Sequence, residues 1–582
     1  MKPRIVAVVL ALAAVASAQT ALMPLQSVKA GMRGVGKTVF SGNNIEEFQV
    51  EILGVLENIG PKQSLILARL SGGPLAKTGV LQGMSGSPVY IDGKLAGAVA
   101  MAFPFSTEPI AGIRPIEEML RVGSAPGPAL QRAALSPAGA DLSRLFPQRE
   151  EVLAGDARMI DIATPVSFGG FTRAAIERFA PQLRSLGLEP RQGVSGGGRV
   201  SPRMGDRAAL KPGSMISVQL MTGDMSIGAD GTVTAIEGDM VYAFGHRFLA
   251  IGPTGLPFAR SEVMTLLPNL NSSFKISSPR ELMGVIRQDR NTAIAGELGK
   301  RAELSPVNIT VARAGRKVDG YQMEIVNDRY LTPFLMQMAL YSAIDSTERT
   351  LGAASYAVRG QIEFQGSVAP LKLNNVFAGD ANAAIQVSLS AAIPLAYVLQ
   401  SGFQALDVKR VDLQIDSFDE KKLMQIDQVI VSPREVRPGG KVEVTAVLAG
   451  ENGAELTRKV TYTVPVGAEA GPLYFTVADG MSTNVAEFRQ IALGSPKSPE
   501  QLVTAVNKLR TNNKAYVRVW RAEPDFQMDA DDLPDPPPSA ALILATSPGA
   551  LQTRNSKVTE LEITAGDIVI SGSKTVQVDV KE

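Results

Sequence analysis

Hydrolysis of a peptide bond by serine needs a hydroxyl on a rigid turn, a base to take its proton, and backbone N–H groups aimed at the developing oxyanion. The run Gly83-Met84-Ser85-Gly86-Ser87-Pro88 supplies the first and the third. Glycines on both sides of Ser85 allow a tight turn without Cβ clashes. In such a turn the N–H groups of Gly83 and Ser85 point into one pocket and form an oxyanion hole. Pro88 stiffens the entry into Val89–Ala100, where Asp92-Gly93 is a hairpin signal. The same six residues also suit a glycine-rich β turn with an incidental serine, so the base has to decide.

Histidine is the usual base for serine near neutral pH, because its pKa lies near 6.5. The chain has one, His246, delivered by the apolar run Val241-Tyr242-Ala243-Phe244 to a turn at Gly245. A structural histidine is the other reading of that residue. A Ser–Lys dyad is a third arrangement, and Lys77 lies near Ser85 in sequence. Asp224, ahead of the histidine hairpin, is the candidate third member that would orient the imidazole. Asp230 and Asp239 read as turn residues. The expected geometry puts the Ser85 hydroxyl within about 4 Å of an imidazole nitrogen, allowing for loose geometry around a hydrogen bond.

Other chemistries fall away. Gly193-Val194-Ser195-Gly196-Gly197-Gly198 also fits Gly-x-Ser-x-Gly, but it follows a helix and precedes no clear hairpin, so it reads as a flexible linker. One histidine and no cysteine build no zinc site, iron–sulfur cluster or disulfide. The acidic cluster Asp525, Asp529, Asp531, Asp532 and Asp535 lacks calcium-loop spacing. Neither a cofactor nor a metal is therefore expected. With 58 basic and 57 acidic residues, nothing draws the chain to nucleic acid or an anionic membrane.

The elements that must position Ser85 and His246 are mostly strands. Lys2 and Arg4 precede an apolar run to Ala16, and Ala16-Ser17-Ala18 is a small-x-small cleavage site, so residues 1–18 read as a secretory signal. That run is too short to span a bilayer, so the mature protein is expected in the periplasm or outside the cell, without stable membrane insertion. Phe48-Gln49-Val50-Glu51-Ile52 alternates at period two. Residues 19–124 form a serine-bearing β half, 125–157 a linker, and 158–304 a histidine-bearing β half. Within the last, Phe171–Leu186 is helical with a kink or split expected at Pro181, and Asp230-Gly231 is a turn. Residues 305–424 mix helix and strand, with Thr332-Pro333 capping an apolar helix. Residues 425–490 look like a small immunoglobulin-like β-sandwich. Residues 491–582 hold a helix capped by Ser498, an acidic linker over Asp529–Pro538, and a β tail.

With these residues in hand, the chain resembles the SpoIVB-type serine peptidases. Phe48–Ile52, Leu75-Ala76-Lys77-Thr78-Gly79, GMSGSP and Gly93–Val99 follow that family's pattern, and a second, shorter similarity surrounds Phe244-Gly245-His246. The resemblance implies a mainly β fold: a chymotrypsin-like double β-barrel, here from permuted halves because the serine segment precedes the histidine segment. An α+β region and the small β-sandwich follow it. It implies Ser85 as nucleophile and His246 as base of an endopeptidase. The family's acidic member lies shortly before the serine, and Ala68–Pro74 holds no acid. That leaves Asp224, a Ser–His dyad, or a weak or inactive site. The partners are a protein or peptide substrate, paired along Ala98–Phe103, or an envelope protein held by an inactive scaffold. The residue before the cut is expected to be small or apolar.

Overall fold

The computed structural model describes residues 20–124, 141–147, 151–154, 157–193, 201–269, 272–313, 316–347, 352–485, 498–523, 525–528, 531–534, 536–547, 550–553 and 556–582. The expected signal segment and the Ser195 loop lie outside the described residues.

Alternation builds the first barrel. Phe48, Val50 and Ile52 turn inward and are buried, while Gln49 faces water. The strands are β1 (Arg33–Ser41), β2 (Asn44–Gly60), β3 (Gln63–Ser71), β4 (Pro88–Ile91), β5 (Lys94–Ala102) and β6 (Ile110–Pro115). They pair in the ring β1-β2-β3-β6-β5-β4 and back to β1. Closure removes the exposed edges that an open sheet of this size would carry. Asp92 and Gly93 make the β4–β5 turn at φ 49° and 74°, the left-handed values a two-residue hairpin needs. Beyond the ring, β7 (Glu151–Ala154) and β8 (Ala157–Asp161) form a hairpin that pairs with the end of β5. The segment expected to be a linker to residue 157 therefore already contains sheet.

A second ring follows. After β9 (Thr164–Gly169), β10 (Leu188–Gln192) and β11 (Ser201–Met204) come β12 (Met215–Gly223), β13 (Ser226–Glu237), β14 (Met240–Ala243), β15 (Gly252–Leu267), β16 (Phe274–Arg290) and β17 (Ala293–Leu298). These last six close as β12-β13-β14-β17-β16-β15. The expected double barrel is thus present, each half a closed ring of six strands.

Several local expectations are corrected. Asp230-Gly231 is no turn: Asp230 lies inside β13, opposite Ser217 of β12. The helix Arg173–Ser185 runs through Pro181 unbroken. Pro181 and Glu177, whose carbonyl loses its donor, both sit on the exposed face. The apolar helix begins at Leu331, where the Asp328 carboxylate accepts from the N–H groups of Tyr330 and Leu331, so Thr332 and Pro333 are already inside it. Ser498 does cap its helix, accepting from Gln501 N–H at 3.2 Å.

The boundary expected at 304–305 is crossed by the sheet. β18 (Leu304–Arg313) and β19 (Arg316–Val326) join β12 through Met221↔Ile325, and β20 (Ala354–Phe364), β21 (Leu371–Gly379) and β22 (Val408–Phe418) continue it. The sandwich, expected over 425–490, draws strands from as far as Ser573–Val580, with Val444, Phe475, Val517 and Val578 in one core. The acidic stretch is part sheet too: Asp525–Met528 pairs with Asp531–Pro534.

Candidate active site

The Ser85 turn lies where the two barrels meet. Gly83 and Gly86 adopt φ 91° and 93°, values an L side chain rarely takes. A Cβ on Gly86 would stand 2.0 Å from the Thr232 carbonyl oxygen and 2.5 Å from Phe244 N, so only glycine fits. The first barrel grips the turn through Gly86 N–H to Val99 O at 2.7 Å and Val99 N–H to Ser87 O at 3.0 Å. The second barrel grips it from the other side. Thr232 N–H donates to Ser85 O at 2.9 Å. The Thr232 hydroxyl donates to Gly83 O at 2.9 Å, and the Thr234 hydroxyl to Gly86 O at 2.7 Å.

Two donors in this turn are left over. Met84, Gly86 and Ser87 give their N–H groups to backbone carbonyls, but those of Gly83 and Ser85 take no partner among the described residues. Buried backbone N–H groups are rarely orphaned. Two of them flanking a serine hydroxyl are the expected donor set of an oxyanion hole. Ser85 Oγ itself is fully buried and makes no hydrogen bond among the described residues. No direct hydrogen bond joins Ser85 Oγ to His246 Nε2.

The histidine segment reaches the same place. β14 ends at Ala243, and Phe244 and Gly245 turn the chain at φ 70° and 72°. A positive φ at a buried phenylalanine is costly and has to be held by its surroundings. Here Phe244 N–H donates to Thr232 O at 3.2 Å. The Cα of Gly245 packs over β5, where a Cβ would lie 3.3 Å from the methyls of Ala98 and Ala100. Gly86 and Gly245 thus both lie against the Val99 backbone of β5, which brings the serine and histidine turns together.

His246 is 2 % exposed, and its Nδ1 lies 2.6 Å from the Arg247 carbonyl oxygen. A carbonyl can only accept, so Nδ1 carries the proton of the neutral ring and Nε2 the lone pair. That is the tautomer a general base needs. The orienting role assigned to Asp224 is corrected accordingly. Asp224 sits exposed at the β12–β13 tip, and its carboxylate accepts Gln322 N–H at 2.7 Å.

Three acidic or basic groups lie around this site: the sequence reading passed over Asp289 and Lys275 and took Asp230 for a turn residue. Asp289 of β16 is fully buried and accepts from Phe248 N–H at 2.9 Å, Leu249 N–H at 2.8 Å and Ile251 N–H at 3.3 Å. It fixes the loop that follows His246. Burial pushes its carboxyl up to about 6, against the pull of those N–H groups. Lys275, also on β16, is 2 % exposed and donates to the Thr38 hydroxyl of β1 at 2.7 Å. Its Cδ would lie 3.3 Å from a Cβ on Gly83, directly behind the serine turn. Burial pushes its ammonium down to about 7, while Asp230 pulls it back up. Asp230, accepting from the Ser277 hydroxyl at 2.6 Å, is pushed up to about 6 by the same burial. Lys77, the lysine singled out by sequence, is exposed on the turn Leu75–Thr78. The buried lysine beside the serine turn is Lys275.

Residues 13–120 match the family of the SpoIVB peptidase S55. The S55 segment takes in the whole first barrel, with Gly83, Ser85 and Gly86, and stops short of His246. The first barrel of this chain is thus of serine-peptidase type. No curated protein and no solved structure matches the chain. Among the described residues no cluster of acids and histidine suits a metal, and no helix is long and apolar enough to cross a membrane.

Proposed function

We propose that the protein is an exported serine endopeptidase that cleaves a protein substrate through an acyl-enzyme. Ser85 Oγ attacks the scissile carbonyl and its proton passes to His246 Nε2. The N–H groups of Gly83 and Ser85 hold the oxyanion, the leaving amine takes the proton back, and water then releases the acyl group. The single observation that carries this reading is the meeting of the two turns on Val99, with the N–H groups of Gly83 and Ser85 unused. The Arg247 carbonyl stands in for the acid, which makes this a Ser–His dyad. Having the serine barrel first in the chain is read as a permutation, harmless to a site defined by position in space. The amino-terminal signal sequence supports a place in the periplasm or outside the cell, with an envelope protein as substrate.

A second reading is a catalytically weak or inactive scaffold that kept the peptidase fold. Complete burial of Ser85 and the lack of an acid in Ala68–Pro74, where the resemblance places the acidic member, favour it. A fluorophosphonate probe separates the two. The peptidase reading expects labelling of the mature protein at Ser85, lost in Ser85→Ala and in His246→Ala. Undiminished labelling of His246→Ala would overturn the base assignment.

A further inference from the structure

The edge of β5 that carries the serine turn is already occupied beyond it. β4 pairs along this edge as far as Pro88↔Ala98. The serine turn takes the next position, through Gly86 N–H to Val99 O. The edge then continues as Ala100, Met101 and Ala102. A peptide that reaches Ser85 by adding a strand to a sheet edge pairs here. In the structure that place is filled by the chain itself. Ile162 N–H donates to Ala100 O at 2.9 Å, and the antiparallel register runs on as Met101↔Asp161 and Ala102↔Ile160.

The side chains agree with the backbone. Ile162 is 5 % exposed and belongs to the apolar cluster that contains Leu81, Met84 and Val99, residues on either side of the serine turn. A groove of about 460 Å³ runs beside the strand, lined among others by Gly79, Gln82, Phe103, Ile160 and Ala163. Ser85 is fully buried while this strand is in place.

We propose that Ile160–Ala163 is a built-in pseudosubstrate, seated on the Ala100–Ala102 edge, which shuts the site until a competing peptide displaces it. The seat of Ile162 defines the class of substrate, an extended peptide with an aliphatic residue next to the serine turn. This inference rests on the peptidase reading.

The test uses the full mature chain and the rate of fluorophosphonate labelling. Ile162→Pro removes the N–H that bonds Ala100, and Ile162→Gly keeps the N–H but empties the apolar seat, so either variant serves if the other fails to fold. Circular dichroism and thermal unfolding establish which is folded. Labelling at Ser85 is expected to rise at least tenfold in the folded variant. A synthetic Arg-Met-Ile-Asp-Ile-Ala peptide, copying residues 158–163, should restore protection, and the same peptide with Asp in place of its second Ile should not. Wild type and folded variants labelling at equal rates would overturn the pseudosubstrate and leave the peptidase reading standing. Absence of labelling in every form would overturn both.

Discussion

Thr232 N–H donates to the carbonyl of Ser85 at 2.9 Å, and its hydroxyl holds Gly83 O at the same distance. One residue of the second barrel thus fixes the peptide planes that follow Gly83 and Ser85, next to those that carry their two unused N–H groups. Thr232→Val keeps the shape and removes the hydroxyl, leaving a buried carbonyl unpaired. A loss of about 1–3 kcal/mol in stability is expected, with slower fluorophosphonate labelling, read by urea unfolding and by labelling time courses.

Ser85→Ala should be at least as stable as the wild type. The hydroxyl is buried without a partner among the described residues, and an unsatisfied buried polar group costs about 1–3 kcal/mol. Urea midpoints check this. A clearly lower midpoint in Ser85→Ala would mean that the hydroxyl makes a stabilising bond in the native protein.

Asp289→Asn should loosen the loop after His246, because a carboxylate accepting three N–H groups becomes an amide. Its effect depends on pH with a definite sign. The folded carboxyl is pushed up to about 6 from 3.8, so the native state binds the proton more tightly. Its contribution is full below pH 4 and falls as pH rises towards 6, after which it is constant. The stability gap between wild type and Asp289→Asn should therefore change between pH 4 and 6 and level off above, measured by urea unfolding at each pH.

Lys275→Met separates the two possible bases. The Lys275 ammonium is pushed down to about 7 from 10.5, so between those values the unfolded chain binds more protons. Wild-type stability should gain a rising component from pH 7 to 10.5 that Lys275→Met lacks. If His246 is the base, Lys275→Met still labels at Ser85 while His246→Ala does not. The reverse pattern would identify a Ser–Lys pair.

Asp224→Asn should leave labelling at wild-type rate, since its carboxylate serves Gln322 at a hairpin tip. A large drop would restore Asp224 to the site.

Local chemistry made the serine turn legible. Gly83 and Gly86 are needed for positive φ, Asp92-Gly93 for a two-residue hairpin, and the period-two pattern at Phe48–Ile52 for a barrel wall, and each of these acts within a few residues of itself. The sole histidine pointed to His246 for the same reason. The rest depends on groups far apart in the chain. Asp230 looked like a turn residue because its partners, Ser277 and Lys275, lie on another strand. Asp289 and Lys275 sit in stretches without a motif of their own, and only barrel closure buries them. His246 Nδ1 meets the Arg247 carbonyl, a backbone group that no residue type marks. The sequence by itself determined the serine turn, the lone imidazole and the β character of both halves. The tertiary structure decided which groups surround them, and it laid Ile160–Asp161–Ile162 along β5, because pairing across a sheet edge is chosen by register and closure rather than by neighbours in the chain.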